Sequence, residues 1–188
     1  MTLFKNKYRV ESARFKDWDY SNNAAYFVTI CTHDMRCYFG KIVKGKVELS
    51  RIGKIAEEEW LHTGKVRDNV VLDEYVIMPN HIHGILMIMN DDTDVTPTSS
   101  LPNIIKGFKS SCTNRVLKLD KNFKWLPRYH DRIIRNEKEL FYIREYISNN
   151  PVNWNQDKNT EDLTGKFLEK ILEPLKNIRT DTRCASHE

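Results

Sequence analysis

The sequence has no long apolar run and few cysteines, and both absences narrow what the protein can be. No stretch approaches the roughly 20 apolar residues that cross a bilayer, and residues 1–7 lack the apolar core of a signal peptide. The four cysteines show no Cys-x-x-Cys spacing, which argues against a zinc ribbon and a disulfide framework. We therefore expect a cytoplasmic protein with reduced thiols and no membrane partner.

Neither sign of charge dominates the chain. The net charge is +4, which is too small to indicate a nucleic-acid partner by itself. A length of 188 residues, with 40% hydrophobic and 30% charged residues, is typical of one soluble globular domain with a proper core. We predict a single domain over residues 1–154 and a partly helical C-terminal extension over residues 155–188, with a helix near 164–178.

Apolar periodicity predicts the order strand, helix, strand, strand, helix, strand, helix. Strands are expected at 24–32, 70–78, 82–89 and 133–134, and an additional hairpin at 38–43 and 46–49. This order predicts an α+β fold of the ferredoxin-like kind, an antiparallel sheet on one side with helices packed on it from the other, decorated by the extra hairpin and a C-terminal helix.

The helix boundaries follow from capping residues. Ser50 should cap a helix that runs to about Thr63 and is closed by Gly64. A second helix is expected over residues 101–119. Asn136 should cap a third helix, which we expect to end near residue 149 because the residue before Pro151 resists the helical region.

Basic residues concentrate between residues 103 and 135. This stretch holds nine basic and two acidic residues, a local excess of +7, and it includes Phe123, Trp125 and Tyr129. A solvated helix face can show such a run for solubility alone. Basic residues interleaved with aromatic ones equally suit a surface that follows a nucleic-acid backbone and stacks on its bases. Both interpretations stay open on the residues alone.

Two short patterns suggest chemistry. His81 and His83 alternate on a predicted strand, so their side chains share a face and could hold one metal ion. Tyr146 and Asn150, four residues apart on a predicted helix, also share a face. Each pattern alone is more often structural. If the strand and the helix pack together, the four side chains would place a metal site beside a phenol nucleophile, the layout of an enzyme that cuts DNA through a covalent tyrosine.

Three longer motifs carry a resemblance to a known family. They are the stretches Met-Pro-Asn-His-Ile-His-Gly at 78–84, Trp-Leu-Pro-Arg-Tyr-His-Asp-Arg-Ile-Ile-Arg-Asn at 125–136, and Ile-Arg-Glu-Tyr-Ile-Ser-Asn-Asn-Pro-Val at 143–152. In this order they resemble the REP-associated tyrosine transposases, which are related to the IS200-like transposases. That family belongs to the single-tyrosine branch of the HUH endonucleases, named for a histidine-hydrophobe-histidine motif. The match runs from about Tyr26 to Trp154.

The resemblance implies a ferredoxin-like HUH fold that acts on single-stranded DNA, often folded into an imperfect hairpin. By position, Tyr146 matches the nucleophile of the family. His81, His83 and Asn150 match the ligands of a divalent metal, either Mg²⁺ or Mn²⁺. The chain departs from the common pattern at Arg132, where many relatives have histidine, so the role of that position is open.

Other residues complete the predicted DNA interface. We expect Lys106, Lys109, Arg128 and Arg135 to contact phosphates and Trp125 to stack on a base. A solvated basic face and a core tryptophan are the alternatives. Tyr142 lies one helical turn before Tyr146 and could be a second phenol in reach, although packing is its simplest role.

Three functions compete at this point. The first is a metal-dependent DNA strand transferase that uses Tyr146. The second is a hairpin-binding protein descended from such an enzyme that no longer cuts, and the third is a phosphodiesterase in which the two histidines activate water, which would leave Tyr146 without a purpose. Single-tyrosine transposases commonly work as dimers, but the REP-associated branch favours a monomer, and we expect a monomer rather than a homodimer.

Overall fold

The computed structural model describes residues 18–90 and 100–154. The regular elements of these residues, apart from a one-turn 3-10 helix at His33–Met35, are β1 (Ala24–Cys31), β2 (Gly40–Val43), β3 (Lys46–Leu49), α1 (Arg51–Lys65), β4 (Val70–Ile77), β5 (His81–Ile88), α2 (Leu101–Val116), β6 (His130–Ile134) and α3 (Glu137–Asn153). No helix among the described residues combines the length and apolar character that a bilayer crossing requires.

The main sheet has four antiparallel strands in the order β4-β5-β1-β6. When the β2–β3 hairpin is left aside, the chain runs strand, helix, strand, strand, helix, strand, and the sheet order is that of a ferredoxin-like fold. The hairpin forms a separate two-stranded sheet. The predicted α+β fold with an antiparallel sheet and an added hairpin is confirmed.

One face of the sheet packs against α1 and α2. Val28 and Ile30 of β1 and Trp60 of α1 belong to one buried apolar cluster. Gly84 of β5 faces Trp60 so closely that a Cβ atom there would lie 2.4 Å from the Cζ2 atom of the indole. Only glycine therefore lets this tryptophan pack flat against the strand.

The opposite face of the sheet is covered by α3. Phe27 of β1 and Ile85 of β5 form a second buried cluster with Ile143 and Ile147 of that helix. The expectation that all helices lie on one side was wrong. Strand β1 is buried along almost its whole length, which requires cover on both faces.

The predicted caps of α1 and α3 are confirmed, whereas Ser100, which could cap α2, makes no capping hydrogen bond through its side chain. The Ser50 hydroxyl accepts a hydrogen bond from the Gly53 backbone amide at 3.0 Å. The Asn136 side-chain oxygen accepts one from the Glu139 backbone amide at 2.8 Å. These bonds satisfy amide groups that have no partner within the helix, and so fix where α1 and α3 begin.

The predicted helix ends were less accurate. Gly64 lies inside α1, which continues to Lys65, and its missing side chain instead lets the helix approach Leu72 of β4. Pro151 lies inside α3, which continues to Asn153. A proline in a last turn removes few hydrogen bonds, and contacts of Val152 and Trp154 hold that turn in place. Strand β6 is longer than predicted and α2 ends three residues earlier. The predicted C-terminal helix lies outside the described residues.

Candidate active site

His81 and His83 lie side by side on β5, with ring centroids 4.5 Å apart, and both are fully buried. The β1–β5 register places Cys31 opposite His81 and Thr29 opposite His83. Nδ1 of His83 is hydrogen-bonded to the Thr29 hydroxyl at 2.9 Å. Nδ1 of His81 is 2.7 Å from the side-chain oxygen of Asn80, so both rings are oriented through the same nitrogen.

Helix α3 brings Tyr146 to this histidine pair. The Tyr146 hydroxyl is 3.2 Å from Nε2 of His83, and only 7% of the tyrosine is exposed. The ring of Phe27 contacts both His83 and Tyr146. Asn150, which is 3% exposed, follows one helical turn later, and Trp154 packs on His81 with ring centroids 6.0 Å apart. The predicted pairing of strand and helix is therefore present in the structure.

Polar contacts from β4 fix the position of α3. The pairing of β4 with β5 is irregular between Leu72 and Tyr75, which places Asp73 and Glu74 in a bulge. The Arg144 guanidinium binds both carboxylate oxygens of Asp73. The Ser148 hydroxyl donates to Glu74 at 2.9 Å. These contacts lie two residues before and two residues after Tyr146, so they hold the turn that carries it.

Arg132 has a structural partner. Its Nε donates to the Glu139 carboxylate at 2.6 Å, and the backbone amide of Arg135 donates to the other oxygen of the same carboxylate at 2.9 Å. Glu139 is buried at the start of α3. Arg132 thus joins β6 to the helix that carries Tyr146.

Burial keeps His83 neutral. It lowers the pKa of this imidazole from 6.5 to about 3, so the ring is uncharged near pH 7. A neutral imidazole has one N–H and one lone pair. If Nδ1–H donates to Thr29, Nε2 accepts a hydrogen bond from the Tyr146 hydroxyl.

The residues present suit a divalent metal. A metal-bound histidine usually donates its other ring N–H to a neighbouring oxygen, and Thr29 and Asn80 supply such oxygens to His83 and His81. A neutral imidazole is also the form that binds a metal. Among residues 18–90 and 100–154, no group of three or more His, Cys, Asp or Glu side chains could hold a metal ion. The third ligand that the resemblance implies, Asn150, stays a prediction.

The predicted DNA-binding residues come from α2 and from the segments before and after β6. Lys106 and Lys109 lie on α2, across the sheet from Tyr146, whereas Arg128 and Arg135 are exposed before and after β6. Trp125 is partly buried beside Phe39, Phe108 and Phe123. Their contacts with DNA stay predictions.

Lys109 has contacts within the protein. Its ammonium donates to the backbone carbonyls of Leu126 at 2.8 Å and of Arg128 at 3.0 Å, and lies 5.9 Å from the ring centroid of Trp125. Burial lowers the pKa of Lys109 to about 8. Lys109 therefore orders the loop that carries Arg128, in addition to any contact that it makes with a phosphate.

Several residues of the site were missed in the sequence. The side chain of Asn80 orients His81, and its place directly before that histidine is the local signal for such a hydrogen bond. Thr29 and Phe27 become apparent only from the β1–β5 register. Asp73 and Arg144 are 71 positions apart in the sequence, so no local sequence pattern predicts that they pair.

With this geometry in view, the class of fold can be stated. The structure of a REP-associated tyrosine transposase bound to a REP hairpin aligns with 79% of this chain and 78% of its own, with a TM-score of 0.57 and 19% sequence identity. A candidate transposase of Deinococcus radiodurans R1 aligns with 72% of this chain and 95% of its own, with a TM-score of 0.45 and 15% identity. The second likeness is too weak to add to the first. The chain has the fold of a REP-associated tyrosine transposase.

Comparison by sequence finds a relative of higher identity. No family model matches the chain. An uncharacterized protein of Haemophilus influenzae is 33% identical over 166 residues, which span 78% of this chain and 91% of that protein. The chain belongs to the same family as this Haemophilus protein.

Proposed function

We propose that the protein is a metal-dependent single-stranded DNA endonuclease and strand transferase, that is, a transposase. Its nucleophile is Tyr146, which forms a covalent 5′-phosphotyrosine intermediate. The observation that carries the proposal is the hydrogen-bond contact of 3.2 Å between the Tyr146 hydroxyl and His83. It joins two motifs that lie 63 residues apart in the sequence. The fold of a REP-associated tyrosine transposase supports the same assignment.

Release of the phenol from His83 precedes attack. An ordinary phenol has a pKa near 10 and is a poor nucleophile at neutral pH, so Tyr146 needs help to lose its proton. Nε2 of His83 has a single lone pair and cannot accept the Tyr146 hydroxyl and bind a cation at the same time. The hydroxyl must therefore turn away from His83 and towards the phosphate before it reacts.

His81, His83 and Asn150 would hold Mg²⁺ or Mn²⁺. A bound cation supplies charge that polarises a non-bridging phosphate oxygen and stabilises the transition state. Other residues of the chain fix the orientation of the two histidines and of Tyr146. Thr29 and Asn80 orient the two imidazoles, and the contacts of Arg144 and Ser148 with β4 hold Tyr146 beside them.

The chemistry conserves one phosphodiester bond. The Tyr146 oxygen forms a bond to phosphorus, and the bond from phosphorus to the 3′-oxygen of the preceding nucleotide breaks. One DNA piece leaves with a free 3′-hydroxyl, and the other remains attached through a 5′-phosphotyrosine. Attack by a second 3′-hydroxyl reverses these steps and joins two strands without ATP, which makes the protein a strand transferase as well as a nuclease.

The proposed substrate is single-stranded DNA that folds into a hairpin, of the kind found in dispersed repeats. The related structure with the same fold holds a REP hairpin, which supports this choice. The histidine pair and the tyrosine come from one chain, so no second copy is needed to bring them together. This observation supports a monomer as the active form.

A denaturing gel tests the proposal. Purified protein is incubated with hairpin DNA that carries single-stranded extensions and a label at its 3′ end, with Mn²⁺ or Mg²⁺ and, in a control, with chelator. We expect a labelled protein–DNA adduct that chelator and Tyr146→Phe abolish and that Tyr142→Phe retains. Cleavage that survives in Tyr146→Phe would favour a metal-activated water, and tight hairpin binding without an adduct would favour a binding protein that does not cut.

A further inference from the structure

A basic pocket lies beside the segment that follows β1. It is an open pocket of about 530 Å³ between the segment that follows β1 and the loop after α2. Its wall includes the basic side chains of His33, Arg36, Lys121 and Lys124, together with the ring of Tyr38. The volume is within the range of about 300–1,000 Å³ that small-ligand sites occupy, so it has room for a nucleotide.

The charge of the pocket suits a polyanion. Arg36, Lys121 and Lys124 are exposed cations, and one carboxylate, that of Asp34, lines the pocket with them, so positive charge is in excess. The cations come from two separate segments, which a backbone hydrogen bond from the His33 amide to the Lys124 carbonyl joins at 2.9 Å. A solvated helix face would not bring together cations of two loops in this way.

The backbone of the first segment is held in an unusual conformation. Asp34 and Met35 both have φ of 53°, in the left-handed region that residues other than glycine rarely adopt. Hydrogen bonds from the Thr32 hydroxyl to the Arg36 carbonyl at 2.8 Å and from the Asn80 side chain to the Met35 carbonyl at 3.2 Å hold this shape. The turn directs Arg36 and Tyr38 into the wall of one pocket.

Asn80 connects the pocket with the candidate metal site. Its side-chain nitrogen donates to the Met35 carbonyl, and its side-chain oxygen is bonded to Nδ1 of His81. One amide therefore touches both the pocket segment and a predicted metal ligand. The segment that forms one wall of the pocket is therefore bonded to the residue directly before His81.

We propose that this pocket binds the single-stranded segment of DNA next to the phosphate that is cut. Arg36, Lys121 and Lys124 contact its backbone phosphates, and the half-buried ring of Tyr38 stacks on a base. The inference rests on the proposed function and adds a strand-binding subsite to it. The pocket recognises the unpaired strand, whereas the hairpin stem lies elsewhere.

The first test compares two matched double variants. Lys121→Gln/Lys124→Gln removes two pocket cations, and Lys54→Gln/Lys65→Gln removes two exposed lysines of α1 with the same change of net charge. None of the four side chains is buried, so folding should survive in both. Fluorescence anisotropy then measures binding to a hairpin with single-stranded extensions and to a blunt hairpin with the same stem, over a range of salt concentrations.

We expect the pocket variant to bind the extended hairpin about tenfold more weakly at low salt. Each lost contact with a single strand lowers the slope of log K against log salt by about 0.7, so two lost contacts lower it by roughly 1.4. Binding of the blunt hairpin should stay as in the control variant. Equal affinity and equal slope for the two variants on the extended hairpin would overturn the inference.

The second test locates the strand directly. The extension carries 5-iodouracil, and the cross-link formed under ultraviolet light is mapped by mass spectrometry. We expect a cross-linked peptide that contains Tyr38, and cross-links found only outside residues 33–38 and 121–124 would contradict the inference.

The outcomes also distinguish the pocket from the proposed function. If the wild-type protein forms the adduct while both tests fail, the pocket is wrong and the proposed function stands. If the pocket variant weakens binding but no adduct forms, the pocket stands and the chemistry falls. If the wild-type protein binds no single-stranded DNA, both fall.

Discussion

The two faces of the central sheet differ in what they bury. The face under α1 and α2 buries an apolar cluster, and on it the absence of a side chain at Gly84 makes room for the ring of Trp60. The face under α3 buries the histidine pair beside Phe27 and Ile85. Both faces are built from alternate residues of the same two strands, β1 and β5, because successive side chains of a strand point to opposite sides.

This difference separates stability from chemistry. Apolar burial on the first face stabilises the fold. On the second face each histidine is hydrogen-bonded, His83 to Thr29 and Tyr146 and His81 to Asn80, which offsets the cost of burying polar groups. Substitutions on the first face should therefore change stability, and substitutions on the second should change activity first.

The largest effect is expected for Gly84→Ala. The new methyl group would overlap the buried Trp60 ring, so strand or helix must shift, and we expect the free energy of unfolding to fall by about 3 kcal/mol. Urea denaturation measures this change. Gly107→Ala on α2 is the matched control, because its methyl group meets only the movable end of Arg67 and alanine favours a helix. Equal destabilisation by both variants would contradict the claim that the close contact between Gly84 and Trp60 limits the packing of this face.

The pH dependence of stability reports on the other face. The pKa of His83 is about 3 in the folded protein and 6.5 in the unfolded chain, so the unfolded chain binds the proton more readily between these values. Stability should therefore decrease as the pH falls from 6.5 towards 3, by up to about 1.4 kcal/mol per pH unit. His83→Asn should remove this slope between pH 6.5 and 4.5. An unchanged slope in that variant would mean that His83 is not held neutral.

Metal affinity gives a smaller effect. Because the Tyr146 hydroxyl uses Nε2 of His83, Tyr146→Phe removes a competitor for that nitrogen. A net hydrogen bond of about 0.5–1.5 kcal/mol corresponds to Mn²⁺ binding that is roughly 2–10-fold tighter. Electron paramagnetic resonance of free Mn²⁺ measures the affinity, and Tyr142→Phe should bind as the wild-type protein does. Weaker binding by Tyr146→Phe would show that the phenol assists the metal instead.

The smallest effect is expected for the ion pair between Asp73 of the β4 bulge and Arg144 of α3. Hydrogen bonds from Arg144 hold the pKa of Asp73 below its usual value of 3.8. Such a carboxylate stabilises the fold above its unfolded pKa, and this contribution is lost as the pH falls through the lower folded pKa. Arg144 is 46% exposed, so Asp73→Asn should cost less than about 1 kcal/mol at pH 7.

Asp73→Asn should nevertheless slow adduct formation several-fold, since it loosens the turn that holds Tyr146. Single-turnover gels at saturating DNA measure this rate. The conservative variant Asp73→Glu keeps the carboxylate, and a normal rate in that variant would support a role of Asp73 in positioning Tyr146 rather than a general loss of folding. A rate that falls only in proportion to the folded fraction would contradict a positioning role.

Local patterns were sufficient to predict most elements of the fold. The caps Ser50 and Asn136 and the apolar periodicity of the strands act within a few residues, so the sequence shows them directly. Helix ends were harder, because Gly64 and Pro151 are governed by contacts with Leu72 and with the His81 region rather than by their own preferences. The side on which α3 packs also depends on the whole sheet.

The candidate site could be assembled from spacing and family resemblance, although its support could not. The sequence motifs at 78–84 and 143–152 contain all four predicted residues, His81, His83, Tyr146 and Asn150. Asp73, Glu74 and Thr29 have no such motif, and they matter because strand register and a bulge bring them to the site. The pocket between residues 33–38 and 121–124 likewise depends on loop geometry that no periodicity reveals.

The most direct test of the account is to identify the tyrosine that carries the DNA. Exposure favours Tyr142, which is 37% exposed, whereas the contact with His83 favours Tyr146. Trypsin cuts after Arg144 and so separates the two candidates into different peptides. After adduct formation and nuclease trimming, mass spectrometry should find the nucleotide on the peptide 145–158, at Tyr146. A nucleotide on the peptide 139–144, or phosphodiester cleavage with no modified peptide, would contradict the assignment of Tyr146 as the nucleophile.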